Sequence, residues 1–335
     1  VLTGLNQYPA DLSAIISTAD SGGSTGKIRE DYQTIGFGDL RRAFLALSRA
    51  EKDLKKLFDH RFEKGFLHKH SLGNLIMLAA YQQHLDLHKI LKVKGAVAPV
   101  TWDKINLCAQ LTNGKIIKGE TNIDIPKHDF NLRIKKAYLE PKAKANPEAL
   151  KIIAAADLIV LGPGDLYTSI IPNLLVAGIA EAIKKSKAKK LYIINLQNKN
   201  GETTGYIPFD YVSDIEKYLG KNILDHVLLA NKRLASKQHA GQHDPKKLGK
   251  FLWEFIKQEN SKPVLVLDFD DTIYNTYKLY HHYPTIRENR MIIKDIDGFP
   301  YLFPDAVQLF KTKNHKALLS HAPPQYKKYQ DIKIE

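Results

Sequence analysis

Short apolar runs alternate with longer amphipathic stretches through most of this 335-residue chain, and that alternation limits its fold more than any other feature. A strand period that gives way to a helix period and back predicts a parallel sheet with helices on both faces. Strands are expected at Leu12 to Ser17, Asp157 to Leu161, Lys190 to Leu196, Leu224 to Leu229 and Pro263 to Leu267. Helices are expected from Asp39 to about Phe62, and over Ser71 to Gln83, Pro147 to Ala155, Asn173 to Lys187, Phe209 to Leu219 and Asp244 to Glu259. The fold class read from this pattern is α/β, doubly wound and mostly parallel. One insertion breaks the alternation: Ile105 to Ile123 carries Asn113-Gly114 between two strand-like runs, a strong hairpin signal, and with Leu132 to Glu140 it predicts a small antiparallel sheet.

The length suits about two domains, and 44% hydrophobic with 26% charged residues describes an ordinary globular chain. The longest apolar stretch, Leu158 to Ile183, is interrupted by Gly162, Pro163, Gly164, Asp165 and Pro172, so no membrane span and no membrane partner are expected. A single cysteine, Cys108, excludes an internal disulfide framework and a cysteine-only zinc site; without a signal-like segment it points to a reducing cytoplasm. The net charge of +14 raises nucleic acid as a partner. The lysines are spread over helix ends and turns without aromatic interleaving, so the expectation is a basic surface attractive to small anions, with nucleic acid not a partner. The segment Ser236 to Asp244 holds His239 and His243 without spaced acidic or cysteine partners and is expected to be a surface loop. The chain starts Val1-Leu2-Thr3-Gly4 and ends soon after the strand-like Lys316 to His321, so both ends read as cut.

The stretch Ser21-Gly22-Gly23-Ser24-Thr25-Gly26-Lys27 nearly spells a phosphate-binding P-loop. The spacing from Gly22 to Gly26 is one residue short, and Ile28 stands where the magnesium-binding hydroxyl belongs, so it fails as that motif. A strand, then Asp20, then a Gly/Ser turn is still a sound place for a phosphate nest. From these residues alone, a flexible turn remains equally open. Four other segments repeat the theme at strand ends or helix starts. Gly38-Asp39-Leu40-Arg41 opens a helix, with Asp39 expected at the N-cap and Arg41 free to pair with a phosphate. His70-Ser71-Leu72-Gly73-Asn74 opens the next, with a capping serine and a close-approach glycine. Gly162-Pro163-Gly164-Asp165, running on to Thr168, and Asn200-Gly201-Glu202-Thr203-Thr204-Gly205-Tyr206 each follow a strand. Open parallel sheets bind ligands beyond the carboxyl ends of their strands, so five such loops point to one site.

Taken in order, several words resemble the 2-phospho-L-lactate transferase and gluconeogenesis factor family, closer to the second branch. They are TADSGGSTGKIRE (Thr18 to Glu30), GDLRRAFLALS (Gly38 to Ser48), LFDHRF (Leu57 to Phe62), HSLGNLIMLA (His70 to Ala79), LGPGDLYTSIIPNLLVAGIAEAI (Leu161 to Ile183) and NGETTGY (Asn200 to Tyr206). The resemblance covers residues 1–260 and implies a Rossmann-like fold binding a phosphorylated ligand. The transferase branch moves a phospholactyl-type group from a guanosine diphosphate donor onto a deazaflavin with magnesium. The gluconeogenesis factor branch is linked to UDP-sugars, especially UDP-N-acetylglucosamine, and to carbon balance and cell-wall and cell-shape control. Carried onto this chain, the resemblance implies that Asp20 sits near a diphosphate or its Mg2+. Gly22, Gly23, Ser24, Gly162 and Gly164 would approach phosphates by backbone, and Asp39, His70 and Asn74 would supply polar contacts. Gly38, Arg41, Ser71, Gly73, Thr168, Asn200 and Glu202 complete the expected ligand-binding set, and a homo-oligomer is expected. The chain departs from the pattern in places. The family's first strand and Gly-Gly-Gly-Thr-Gly loop would precede Val1. Ser21 replaces a second aspartate, Arg42 stands where asparagine is common and Asp165 where serine is common, and Ala230 to His243 is shorter than the family's lid-like excursion.

After Lys262 a second unit is expected. Val264 to Thr276, VLVLDFDDTIYNT, puts Asp268 and Asp270 two residues apart at the end of an apolar strand. There one carboxylate can attack phosphorus while the other protonates the leaving oxygen, with magnesium shielding both. The run resembles the first motif of haloacid dehalogenase-like phosphohydrolases, and Lys316 to Lys328 resembles their second, with Ser320 binding the phosphoryl group. The resemblance implies Asp268 as nucleophile and Asp270 as acid/base, both also Mg2+ ligands, in a partial domain over residues 261–335. That domain's remaining lysine and acidic ligands would lie beyond residue 335, so the chain by itself is expected to show no phosphatase activity.

Overall fold

The computed structural model describes residues 1–230, 232–237 and 242–258. Asp268, Asp270, Ser320, His239 and the strand expected at Pro263 to Leu267 lie outside the described residues. The amino-terminal part runs α1 (Leu2–Leu5), β1 (Ser13–Ile16), α2 (Gly23–Tyr32), α3 (Gly38–Leu47), α4 (Lys52–Asp59), α5 (Leu72–Gln82), α6 (Leu87–Ile90) and β2 (Ala96–Pro99). The insertion follows as β3 (Asn106–Leu111), β4 (Ile116–Lys118), α7 (Glu120–Asp124) and β5 (Ile134–Glu140). The rest is α8 (Pro147–Ala155), β6 (Leu158–Leu161), a π-helical turn over Leu166–Ile170, α9 (Ile171–Leu174), α10 (Ile179–Lys185), β7 (Lys189–Ile193), α11 (Pro208–Leu219), β8 (His226–Leu228) and α12 (Pro245–Gln258).

The fold is α/β, and its parallel strands form two sheets where one continuous sheet was expected. β1 pairs with β2, and β6, β7 and β8 pair in that order. Among the described residues no strand bonds one sheet to the other. They share a core all the same: Leu12, Ala14 and Val97 pack with Leu191, Ile193 and Leu228 beneath α3 and α12. The antiparallel insertion is as the Asn113-Gly114 signal predicted, with β3 between β4 and β5 and Gly114 at φ 88 in the turn. Its buried Leu107, Ala109 and Leu111 join a second core with Tyr167, Ile171 and Ile215. Asn146 links the two parts: its side chain accepts the Glu148 amide to cap α8 and donates to the Pro99 carbonyl at the end of β2 (3.0 Å each).

Two long helices expected from periodicity are divided. Asp39 to Phe62 becomes α3 and α4 because Ser48 leaves the helix. Its hydroxyl donates to the Leu91 carbonyl (2.6 Å) and accepts the Ala50 amide (3.0 Å), a local alternative to the helical ladder. Asn173 to Lys187 becomes α9 and α10 because Gly178, at φ 100, turns the chain left-handed. At the described flanks of the segment expected as a surface loop, Ala235 pairs with His243 in a bridge, and Asp244 accepts the Lys246 and Lys247 amides at the start of α12.

α2 was not foreseen, since three glycines in or beside it oppose helix. It is held by a buried guanidinium. Arg29, 3% exposed, donates to the carbonyls of Ala19 (3.1 Å), Asp20 (2.9 Å) and Ile105, and to Asn106 Oδ1 (3.3 Å). One side chain thus ties α2 to the end of β1 and to the start of the insertion. Arg29→Met keeps the apolar stem and strands these acceptors, so it should cost about 3 kcal/mol. Thermal denaturation should show Tm lowered by roughly 6–12 °C; a loss under about 1 °C contradicts this account.

Candidate functional site

β1 ends at Ile16, and the chain passes through Asp20 into α2. Gly22 is the N-cap of α2, and Gly23 and Ser24 are its first residues. Asp20 Oδ1 accepts the Gly22 amide at 2.9 Å. The start of α3 lies against the same carboxylate: a Cβ on Gly38 would fall 2.6 Å from Thr25 Oγ1 and against Asp20 Oδ2, so only glycine lets the chains approach this closely. The start of α5 meets Ser24. The Ser71 amide donates to Ser24 Oγ (3.2 Å), His70 Nδ1 lies 3.3 Å from it, and Asn74 Nδ2 donates to Ser24 Oγ (3.4 Å) and Thr25 Oγ1 (3.3 Å). Three helices of ten, ten and eleven residues therefore begin around the Asp20 to Thr25 turn, α5 against Ser24 and α3 against Asp20 and Thr25, and none has a side-chain cap. Their first turns concentrate partial positive charge. Asn74 is 3% exposed, and its Oδ1 has no partner among the described residues.

Several expected contacts are placed differently. Asp39 is in the first turn of α3, where Phe37 holds the N-cap, and it pairs with Arg42. Arg41 is not free for a phosphate: its guanidinium donates to the Phe58 carbonyl (3.0 Å) and Asp59 (2.7 Å), closing the end of α4. Ser71 holds the N-cap position of α5, but its buried hydroxyl reaches the Phe58 carbonyl at 3.5 Å and caps nothing. Gly73 packs on that carbonyl and on Arg41. A groove of about 510 Å³ lined by α1, α3 and α4 shares only Arg42 with this site.

The second half of the candidate site is built from the loops after β6 and β7. Gly162 has φ 80, and a Cβ there would stand 2.8 Å from the Ile193 carbonyl, which fixes glycine at this turn. Gly164 lies in the same turn, where a Cβ would meet Ser169 at 3.4 Å. Thr168 and Glu202 are taken up by each other: Thr168 Oγ1 donates to Glu202 Oε1 (3.2 Å), and the Tyr167 amide donates to Oε2 (3.1 Å). Asn200 is exposed beside them. Asp214 anchors this loop from α11, accepting the hydroxyls of Tyr167 (2.5 Å) and Tyr206 (2.6 Å).

The sequence reading missed the groups that join the halves. At one end of α7, Glu120 Oε2 accepts the Ser21 amide (3.3 Å), and Ser21 Oγ lies 3.1 Å from Thr121 Oγ1. At the other end, Asp124 pairs with Lys199, whose ammonium also meets Asp165 (2.6 Å) and Glu202 (3.1 Å). Ser21 is thus the residue through which the insertion reaches the α2 turn. A repeated Gly-Glu-Thr, at 119–121 and again at 201–203, was the signal that could have added Glu120 to the already expected Glu202.

Burial raises the Asp20 carboxyl, the Gly22 amide opposes this, and Asp39 adds to it. Burial also lifts Glu120 from its ordinary 4.5 to about 7; the Ser21 amide resists, and the charges of Asp20 and Asp124 reinforce the rise. A carboxyl raised on folding contributes stability below its unfolded pKa and loses it as pH rises through the folded one. Glu120→Gln should therefore be more stable than the parent at pH 8 by about 1–2 kcal/mol, and the advantage should shrink as pH falls and vanish only below about pH 4. Denaturant titration across that range checks it; a constant difference would contradict it. Lys69, just before His70, is held at φ 68. Lys69→Gly should relieve about 1 kcal/mol of strain, read as a higher denaturation midpoint.

Most of the chain is similar to known proteins. The family described as "2-phospho-L-lactate transferase CofD" matches residues 1–261. A protein named gluconeogenesis factor from Halalkalibacterium halodurans is 42% identical over 238 residues, 68% of this chain and 73% of that protein. The Bacillus subtilis protein of the same name is 39% identical over 238 residues, 68% of this chain and 74% of that one. Among solved structures, two crystal structures from Bacillus halodurans match. One has a TM-score of 0.65 at 41% identity over 68% of this chain and 75% of that one. The other has a TM-score of 0.68 at 34% identity over 75% and 94%. With its glycine turns and helix starts in the order the family words require, the chain belongs to the 2-phospho-L-lactate transferase CofD family.

Proposed function

We propose that the chain binds a nucleoside diphosphate ligand, a UDP-sugar such as UDP-N-acetylglucosamine, as a regulatory protein of the gluconeogenesis factor type. Its setting is the cytoplasm, as a homo-oligomer serving carbon metabolism and cell-wall and cell-shape control. The observation that carries the reading is the meeting of three helix N-termini without side-chain caps at the Asp20 to Thr25 turn, with Asn74 Oδ1 buried and without a partner among the described residues. Amides and dipoles so arranged favour a diphosphate. The relatives named gluconeogenesis factor support this branch.

The carboxylates of Asp20, Asp39 and Glu120 near the same turn would repel a bare diphosphate, and only Asp39 has a paired arginine. Mg2+ fits this hard-oxygen set, since it binds through one or two carboxylates together with ligand phosphates. Asp20 would hold it, with Thr25 adjacent and Glu120 in the role that Ser21 leaves vacant. When bound, the ion would supply the charge that lets carboxylates and phosphates share the turn. The chain's own residues would do the rest: the amides of Gly23 to Thr25 and the starts of α3 and α5 orient the phosphates, and Gly162 and Gly164 line the turn after β6.

A second reading, phospholactyl transfer from a guanosine diphosphate donor to a deazaflavin, is favoured by the family description that matches residues 1–261. Thermal-shift titration separates the two. With Mg2+, UDP-N-acetylglucosamine at a hundredfold excess over its Kd should stabilise the chain by about 2.7 kcal/mol. Chelation of Mg2+ or Asp20→Asn should weaken the affinity about tenfold or more. Stabilisation by the guanosine diphosphate donor with deazaflavin, and not by the UDP-sugar, supports transfer instead. No shift with either ligand sinks both.

A further inference from the structure

Away from the α2 turn, three carboxylates converge on one point: Asp124 from α7, Asp165 from the loop after β6 and Glu202 from the loop after β7. One oxygen of each lies within 4.8 Å of the others, a spacing that suits a single divalent cation. A cation is already there. The Lys199 ammonium pairs with Asp124, with Asp165 Oδ2 at 2.6 Å and with Glu202 Oε1 at 3.1 Å. Lys199 Nζ therefore sits as a metal ion would, on a tether from the chain itself. We propose that Lys199 is a built-in substitute for a divalent cation and the residue that positions α7, and with it Glu120, against the Ser21 turn.

Three features support the assignment. Each carboxylate comes from a different element, so one ammonium closes the insertion onto both parallel-strand loops. The lysine backbone is fixed independently, its amide donating to Thr203 Oγ1 at 2.8 Å. The partners are arranged for a cation as well: Asn195 donates to Asp165 Oδ1 (3.3 Å), and the Tyr167 amide and Thr168 hydroxyl donate to Glu202. Although burial disfavours its charge, the carboxylates Glu202, Asp124 and Asp165 outweigh this and hold Lys199 above the ordinary lysine range. Removing the ammonium leaves the buried Glu202 carboxylate beside the partly exposed Asp124 and Asp165, negative charge that a divalent ion can neutralise.

The inference is independent of the ligand proposed above, and its test contains no nucleotide. In an Asp20→Asn background, which removes the Mg2+ ligand proposed for the other end, Lys199→Ala should lower Tm, and Mn2+ should raise it again by about 3 °C or more. The chain with Lys199, and Lys199→Arg, should respond to Mn2+ by less than about 1 °C. Adding Asp165→Asn to Lys199→Ala should abolish the gain. If Lys199→Ala does not fold alone, refolding with and without Mn2+ answers the same question: recovery with the metal only supports the assignment, and failure in both contradicts it. Equal Mn2+ responses with and without the lysine overturn it.

Discussion

The buried guanidinium of Arg29 is the constraint on which the rest of the molecule depends. A charge this deep is tolerated when most of its donors find acceptors, and here three carbonyls and one side-chain oxygen take the two terminal nitrogens, while Nε has no partner among the described residues. Two of the carbonyls belong to Ala19 and Asp20, the link between β1 and α2; the third belongs to Ile105, just before β3. Satisfying one arginine therefore sets the angle of α2, the position of the Asp20 carboxylate and the docking of the insertion together. α7 can then bring Glu120 to Ser21 at one end and Asp124 to Lys199 at the other.

The two ends of α7 have opposite electrostatic character. At the α2 turn, helix starts dominate, and the shortage is of positive charge to offset Asp20, Asp39 and Glu120. At the far end, the carboxylates already have their cation in Lys199. An anionic ligand with an accompanying metal is favoured at the first and gains nothing at the second. This division explains why the loops after β6 and β7 carry acidic residues in a protein whose net charge is +14.

Much of this was legible in the residues. The alternation gave β1, β6, β7 and β8 but not β2, Asn113-Gly114 marked the insertion, and the Asp20 to Ser24 run and the His70 to Asn74 run do meet at Ser24. What was not legible depended on contacts distant in sequence. α2 reads as a glycine turn until Arg29 is seen to bind groups across the fold, and Arg41 reads as a free cation until Asp59 and the Phe58 carbonyl are placed beside it. Glu202 and Thr168 look like ligand contacts in their own loops, yet each is used by the other. Glu120 and Lys199 were not picked out, because Ser21, Asp124 and Asp165, which give them their places, lie in other elements.

The central claim is that the first turns of α2, α3 and α5 together hold the phosphates of a nucleotide ligand. Hydrogen exchange of backbone amides, measured with uridine and then with UDP-N-acetylglucosamine in the presence of Mg2+, reads those turns directly. The account predicts that the amides of residues 22–26, 38–41 and 71–74 gain protection with the diphosphate ligand and not with the nucleoside. Protection confined to other segments, or the same protection from uridine alone, would contradict it.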